Sequence, residues 1–116
     1  MKPQVSPAIR GPVADQLADT MFALSAPSRV EILGCLLAGP LSVGAITSML
    51  TMEQSAVSHQ LRVLREHALV KAERDGKRRV YALYDDAVSD LLAAALRHVE
   101  RRGRTKRGAS PAAAGD

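Results

Sequence analysis

Polar side chains with helical spacing stand in the run TMEQSAVSHQLRVLRE, residues 51–66 of the chain. At 100° per residue, Val57, Leu61 and Leu64 fall on one narrow apolar stripe, and polar groups fall on the opposite side. Those groups are the hydroxyls, imidazole and guanidinium of Ser55, Ser58, His59 and Arg62. They match base edges in a DNA major groove, whereas an ordinary surface helix more often carries Glu and Lys four residues apart. The pattern predicts a DNA-recognition helix.

The start of this helix is predicted by Thr51 followed three residues later by Gln54, which is capping-box spacing. Gln54 then lies near the helix start and is a further candidate for groove contacts. Ser58 and His59 are adjacent, so their side chains diverge by about 100° and form no nucleophile–base pair. Because the sequence shows neither a glycine-rich phosphate loop nor paired carboxylates around a pocket, we expect no enzyme.

A β-hairpin is predicted directly after the recognition helix. The runs Leu69–Arg74 and Lys77–Tyr84 flank Asp75-Gly76, a dipeptide that commonly forms the tight turn between two strands. A two-stranded hairpin is marginal alone, so it must pack on the helices. Three basic side chains stand at its tip, namely Lys77, Arg78 and Arg79. They would contact backbone phosphates or an adjacent minor groove, the alternative being a solvated turn.

Four further helices are predicted around these elements. Apolar periodicity, an early helical Pro27 and an N-capping Ser42 place them at Val13–Leu24, Pro27–Leu37, Val43–Leu50 and Asp86–Arg102. Two helices joined by a short turn within residues 42–66 have helix-turn-helix spacing, and the hairpin follows at once. The predicted fold is mainly α with a β-hairpin wing, a winged helix-turn-helix in the order α-α-α-α-β-β-α.

The last predicted helix carries a broad apolar stripe, on which Leu91, Leu92, Ala95 and Val99 lie. Small side chains at residues 93–95 would let a second helix approach closely. Together with the first helix, this stripe predicts a surface on which two copies of the chain form a symmetric dimer. The alternative, which is compatible with the first, is that the stripe packs on its own domain.

Composition and charge limit the class of protein. The 116 residues suit one domain, predicted over residues 13–102, with a disordered arm at 1–12 and a disordered basic tail at 103–116. A formal net charge of +4 fits a polyanionic partner such as double-stranded DNA. Cys35 is the single cysteine, which excludes a disulfide or a cysteine-based zinc site within one chain. Neither a signal peptide nor a membrane span is recognisable, so we expect a cytoplasmic protein.

Three segments of the chain resemble one family. LSAPSRVEILGCLL, LSVGAITSMLTMEQSAVSHQLRVLREHALV and RDGKRRVYALYD are similar to the corresponding segments of ArsR/SmtB winged-helix repressors, across about residues 13–102. The likeness is strongest to actinobacterial members that sense nickel and cobalt. The resemblance implies a homodimer that binds a palindromic operator and, in many members, releases it when a metal ion binds.

Two positions depart from the family pattern near helix ends. Ala26 stands where members commonly carry a helix-capping Asp, and losing such a cap costs about 1 kcal/mol. Ala68 stands where a Gly usually ends the recognition helix, and a left-handed Ala there is strained by about 1 kcal/mol. Neither departure threatens the predicted fold.

The resemblance also implies metal sites, and this chain departs from them. The cysteine pair that some members carry near the third helix has no counterpart in SVGAITSML. The nickel, cobalt and zinc site of the last helix takes Asp-x-His from one chain and His-x-x-His from the other. These positions are here Asp85 with Ala87, and His98 with Arg101. Asp85 and His98 would leave a residual site that binds nickel, cobalt or zinc weakly at the dimer interface. Alternatively, Asp85 caps the last helix and His98 packs at the dimer seam.

These patterns predict a sequence-specific DNA-binding transcriptional regulator that is a homodimer on a palindromic operator. One alternative keeps DNA binding and gives signal sensing to a protein co-regulator, which would supply the missing metal ligands. Another is a dimeric interaction module that no longer binds DNA. The complete polar helix face and the basic hairpin tip favour DNA binding.

Overall fold

The structure, a computed structural model, describes residues 8–109, with side chains as far as residue 103. Of the predicted arm, 1–12, and the predicted tail, 103–116, residues 1–7 and 110–116 therefore lie outside the described residues, whereas 11–12 and 103–109 belong to helices. The elements are α1 Gly11–Ala23, α2 Pro27–Leu36, α3 Val43–Leu50, α4 Gln54–Glu66, β1 Val70–Asp75, β2 Arg78–Leu83 and α5 Asp86–Ala109. This order confirms the predicted winged helix-turn-helix. Among the described helices, none has the length and apolarity needed to cross a membrane.

The chain divides into two compact units, residues 1–84 and residues 85–116. In the first unit, α2, α3 and α4 pack on one another, α4 contacts β1, and α2 contacts β2. The core of this unit consists of aliphatic side chains that are at most 3% exposed: Ile32, Leu33, Leu36, Ile46, Val57, Leu61, Leu64, Leu69 and Val70. Burying one such side chain contributes about 1.5–3 kcal/mol, so this core determines how α4 is held.

The hairpin is joined to the helices by backbone hydrogen bonds as well as by packing. Leu41, just before α3, donates to the carbonyl of Tyr81 at 2.9 Å, and Tyr81 donates back to Leu41 at 2.8 Å. β1 pairs antiparallel with β2 up to Asp75 opposite Arg78, which leaves Gly76 and Lys77 as the turn. The predicted Asp75-Gly76 turn is thus displaced by one residue. Gly76 has φ +65°, a conformation that glycine adopts without strain.

The predicted capping box of Thr51 and Gln54 is wrong. Thr51 instead ends α3 in the left-handed conformation at φ 55°, because the chain must turn there between two closely spaced helices. α4 begins at Gln54, with Glu53 as the N-cap and no side-chain hydrogen bond at that cap. The cap predicted for α3 is confirmed, since the hydroxyl oxygen of Ser42 accepts from the Ala45 N–H at 3.1 Å.

Four helix ends differ from the prediction, one of them the end of α1, which lies at Ala23 rather than Leu24. α1 begins at Gly11, two residues earlier than predicted, and has Pro12 in its first turn. Proline lacks a backbone N–H, but an N–H in the first turn would have no hydrogen-bond acceptor within the helix, so no helical hydrogen bond is lost. α2 ends at Leu36, one residue earlier than predicted. α5 continues to Ala109, past the predicted end at Arg102. The segment beyond Arg102 contains Arg104, Lys106 and Arg107, which are good helix formers, so its two glycines, each costing about 1 kcal/mol, do not end the helix.

At Ala26 and Ala68, the two positions that depart from the family pattern near helix ends, the structure agrees with the prediction. Ala26 is the N-cap of α2 and offers no side-chain cap. Nearby Ser25 does not replace it, because its hydroxyl donates to the carbonyl of Phe22 at 2.6 Å. Ala68, just after α4, has φ 55°, the strained left-handed conformation.

Candidate nucleic-acid interface

The two faces of α4 are separated as the sequence predicts. Val57, Leu61 and Leu64 are at most 1% exposed and form the inner face. Every side chain predicted to contact the groove is exposed to solvent: Gln54, Ser55, Ser58, His59 and Arg62. The packing energy of the helix is therefore concentrated on the inner stripe, and the polar face is free to meet a ligand.

Arg29 of α2 joins the end of α1 to α4, which the sequence analysis did not predict. Its Nε donates to the carbonyl of Ala23 at 2.6 Å, and its Nη2 donates to the carbonyl of Phe22 at 3.4 Å. Its Nη1 donates to Gln60 Oε1 on α4 at 3.2 Å. One guanidinium thus donates to two carbonyls at the end of α1 and ties them to the recognition helix, and the Phe22 carbonyl also accepts the Ser25 N–H at 3.0 Å.

Arg29→Met retains the apolar stem of this side chain and removes all three hydrogen bonds. We expect the free energy of unfolding to fall by about 2 kcal/mol, because hydrogen bonds to a charged group are lost and partly buried acceptors stay unpaired. Urea denaturation followed by circular dichroism measures the change. Arg97→Met is the matched control and should stay within about 0.5 kcal/mol of the original chain, as exposed substitutions do. Equal effects of the two substitutions would contradict the role given to Arg29.

The hairpin presents its basic residues on two different faces. Lys77, Arg78 and Arg79 are all exposed at or beside the turn. Since side chains alternate along a strand, Arg79 shares a face with Tyr81, and Arg78 lies on the other. The Arg79 guanidinium carbon lies 5.3 Å from the centroid of the Tyr81 ring, a cation–π distance. The three predicted wing residues therefore do not form one patch, and Arg79 alone of them lies over this ring.

A cavity of about 280 Å³ lies between α4 and the hairpin, within the first unit. We call it the arginine crevice and define it by its lining residues, which are Ser58, Arg62, Arg65, Arg79 and Tyr81. It brings two predicted groove residues of α4 together with one predicted wing residue. The sequence predicted these as separate contact sets, and the structure makes them neighbours.

Arg65 is the functional candidate that the sequence analysis missed. It follows Arg62 by three residues and Ser58 by seven, so all three share one side of α4. This spacing was available in the sequence. What the sequence does not show is that this side of the helix adjoins the hairpin, since the approach of β2 depends on the tertiary fold.

Apolar side chains on α1 and α5 are exposed. On α5, Leu96 and Val99 are 54% and 60% exposed, and Leu91 and Leu92 are half-buried. The stripe on α1 repeats every four residues and is exposed at Val13, Leu17 and Met21. Each of these exposed apolar stripes, taken on its own helix, is typical of an association surface.

The donor set on α5 does not fit a four-ligand metal site. The Asp85 carboxylate accepts the Val88 N–H at 3.3 Å, which is the predicted helix cap. Asp85 and His98 lie 13 residues apart along a helical segment, about 20 Å at 1.5 Å per residue, so they cannot share an ion within one chain. Ala87 and Arg101, at the two remaining positions, offer no ligand. In the described part of the chain, no group of three or more His, Cys, Asp or Glu could hold a metal ion.

Cys35 is half-buried on α2 and carries a free thiol. Burial raises the pKa of this thiol, and the neighbouring Glu31 carboxylate raises that pKa further. A thiol whose pKa is raised holds its proton near neutral pH and reacts slowly. This environment favours a packing role for Cys35 over a reactive one.

Comparisons with known proteins place the helices and the first strand of this chain in one family. A model of the family described as bacterial regulatory protein, arsR family, matches residues 26–72, from the N-cap of α2 to the middle of β1. The HTH-type transcriptional regulator NmtR of Mycobacterium tuberculosis is 52% identical over 87 residues, which cover 75% of this chain and 72% of NmtR. A transcriptional repressor SmtB homolog of Synechocystis sp. is 37% identical over 87 residues, covering 75% of this chain and 66% of that protein.

Solved structures show the same fold. The solution structure of apo-NmtR superposes with a TM-score of 0.67 at 45% identity, covering 87% of both chains. The homodimeric winged helix-turn-helix DNA-binding domain of Mb0332 from Mycobacterium bovis superposes with a TM-score of 0.73 at 29% identity, covering 86% of this chain and 91% of that one. The named relatives are transcriptional regulators, which confirms the expectation of a regulator rather than an enzyme. With 52% identity across most of NmtR, the chain belongs to the arsR family of bacterial regulatory proteins.

Proposed function

We propose that the chain acts as a homodimer that binds a palindromic operator, with α4 of each protomer in a major groove. The observation that carries this proposal is the exposed polar face of α4 above a fully buried apolar stripe. A two-fold dimer presents two such helices to half-sites about one helical turn, roughly 34 Å, apart. The symmetry of the protein would then be matched by the symmetry of the DNA.

Two sets of side chains divide the work of binding. Base edges are read by short or forked polar groups on α4, which are Gln54, Ser55, Ser58, His59 and Arg62. Backbone phosphates are bound by the basic residues of the hairpin, which are Lys77, Arg78 and Arg79. Support comes from the exposure of all eight side chains and from the chemistry of the two partners, since donors and acceptors discriminate bases whereas cations neutralise phosphates.

The dimer forms through the apolar stripes of α1 and α5. Leu91, Leu92, Ala95 and Val99 of α5 are the residues that we assign to this interface. The exposure of Val99 in the single chain supports this, because an isolated protomer would leave that apolar area in water. The Mb0332 domain, a structural neighbour, is described as homodimeric.

Arg62→Ala and Arg78→Ala test the division between base and phosphate contacts. Loss of Arg62 should weaken operator binding by about 1–3 kcal/mol and random DNA much less, because a base contact discriminates. Loss of Arg78 should weaken both DNAs alike and lower the slope of log affinity against log salt by about 0.9 for each lost phosphate contact. Fluorescence anisotropy at several salt concentrations measures both quantities. Identical losses on operator and random DNA for both variants would contradict the division.

We infer that DNA binding is not controlled by tight binding of a metal ion to this chain alone. Asp85 and His98 from two protomers supply two ligands, which suffice only for weak nickel, cobalt or zinc binding at the dimer interface. A protein co-regulator that supplies further ligands would complete the site. Titration of the DNA complex with each metal tests this proposal, and release of DNA at micromolar nickel without any added protein would contradict it.

A further inference from the structure

We propose that the arginine crevice binds one phosphate of the DNA backbone, with Arg65 and Arg79 as its two principal ligands. The proposal rests on the proposed DNA-binding function and adds a site to it. Arg65 gains a role in binding, and α4 and the hairpin become two halves of one phosphate site. Ser58 lines the same cavity and keeps the groove role proposed for it.

The geometry of the crevice suits a tetrahedral oxyanion. Its volume of about 280 Å³ exceeds the share of a single water, roughly 30 Å³, several-fold, so a phosphate group with part of its hydration fits. Arg79 is held over the Tyr81 ring at 5.3 Å, which restricts the guanidinium before any ligand arrives. Planar guanidinium groups from two elements can then each present a pair of N–H donors to phosphate oxygens.

No carboxylate lines the crevice, and none forms an ion pair with its arginines, in the part of the chain that the structure describes. The side chains of Arg62 and Arg65 make no hydrogen bond or ion pair there. Glu66 borders a separate cavity beside Arg62 and Arg65, and Glu73, which pairs with Lys71 at 3.5 Å, borders another cavity beside Arg79. Three guanidinium groups around one cavity repel one another, and an anion removes that repulsion.

The DNA backbone is the anion that the position favours. A helix in the major groove has a phosphate backbone along each side of it. The hairpin stands beside α4, so the crevice lies where the helix would meet one of these backbones. Arg62 lies nearer the middle of the exposed face of α4, 60° from Arg65 at the helical repeat, and keeps its groove role.

Operator duplexes in which one phosphate at a time is replaced by an uncharged methylphosphonate test the site. The original chain should lose about tenfold in affinity at one defined phosphate in each half-site, as expected for a charge-assisted contact. Arg65→Ala and Arg79→Ala should bind unmodified operator about tenfold more weakly and be insensitive to the substitution at that phosphate. Arg78→Ala, on the opposite hairpin face, is the matched control and should keep the sensitivity at that phosphate.

The outcomes separate this proposal from the function on which it rests. The Arg65 side chain is exposed and makes no hydrogen bond or ion pair in the described structure, so its variant should melt at the original temperature, which circular dichroism checks. An Arg65→Ala variant that keeps the full methylphosphonate pattern overturns the crevice site while DNA binding stands. Failure of the original chain to bind DNA removes both. If inorganic phosphate stabilises the original chain but not Arg65→Ala, and no methylphosphonate position responds to Arg65, the crevice binds a free anion and the assignment to DNA is wrong.

Discussion

A chain carrying Leu96→Glu and Val99→Glu is expected to be monomeric and to bind its operator about 100-fold more weakly, or worse. Both side chains are more than half exposed on α5 and lie three residues apart, on one side of the helix. Carboxylates buried at an apolar dimer interface would be desolvated and would repel their symmetry mates. A monomer engages one half-site and loses the factor of about 10²–10⁴ that linking two binding modules supplies.

Sedimentation velocity and anisotropy on the same samples measure these two effects of the double substitution. Arg97→Glu is the control, because Arg97 is exposed and lies at least 100° around α5 from both Leu96 and Val99, and it should leave the protein dimeric. Circular dichroism of the monomer verifies that α2, α3 and α4 remain folded. A double variant that stays dimeric would contradict the interface assigned to α5, and a monomer with full operator affinity would contradict the two-half-site mode of binding.

Leu61→Ala should lower the free energy of unfolding by about 2–5 kcal/mol. Leu61 is 1% exposed, on the inner face of α4 between Val57 and Leu64. Alanine removes buried apolar area and leaves a cavity that the closely packed helices cannot fill. Since a domain of this size has about 5–15 kcal/mol of stability, the melting temperature should fall by roughly 10 °C or more.

Thermal and urea denaturation measure the effect of Leu61→Ala directly. Arg62→Ala alters the adjacent residue on the exposed face and should change stability by no more than about 0.5 kcal/mol. Leu61 and Arg62 are adjacent in sequence, so comparing the stability of the two variants distinguishes the packing face of α4 from its binding face. A loss below about 1 kcal/mol for Leu61→Ala would contradict the inner-face packing described for α4.

The sequence predicted the fold wherever apolar periodicity was strong. The apolar stripe of α4, the two runs that flank Asp75-Gly76 and the helix signals at Pro27 and Ser42 predicted the element order. Thr51 was misassigned because a threonine before a helix and a left-handed threonine after one have the same local sequence. The end of α5 was placed too early because glycine is a frequent but weak helix stop.

Contacts between distant segments could not be predicted from the sequence. Arg29 and Gln60 are 31 residues apart, and their hydrogen bond depends on how α2 crosses α4. Arg65 and Arg79 likewise become neighbours only when β2 approaches the recognition helix. The resemblance predicted the four positions of the metal site. That site is formed by residues of two protomers, so the metal role of Asp85 and His98 stays a prediction.

Sequence-specific DNA binding by this dimer is tested most directly by one comparison. Anisotropy at physiological salt would measure the affinity of the original chain for DNA upstream of its own gene and for a shuffled duplex of equal length and composition. We predict a preference for the upstream DNA of about 10³-fold or more, as specific regulators show. Equal affinity for the two duplexes would contradict the reading of bases by α4, and no binding to either would show that the exposed polar face serves another partner.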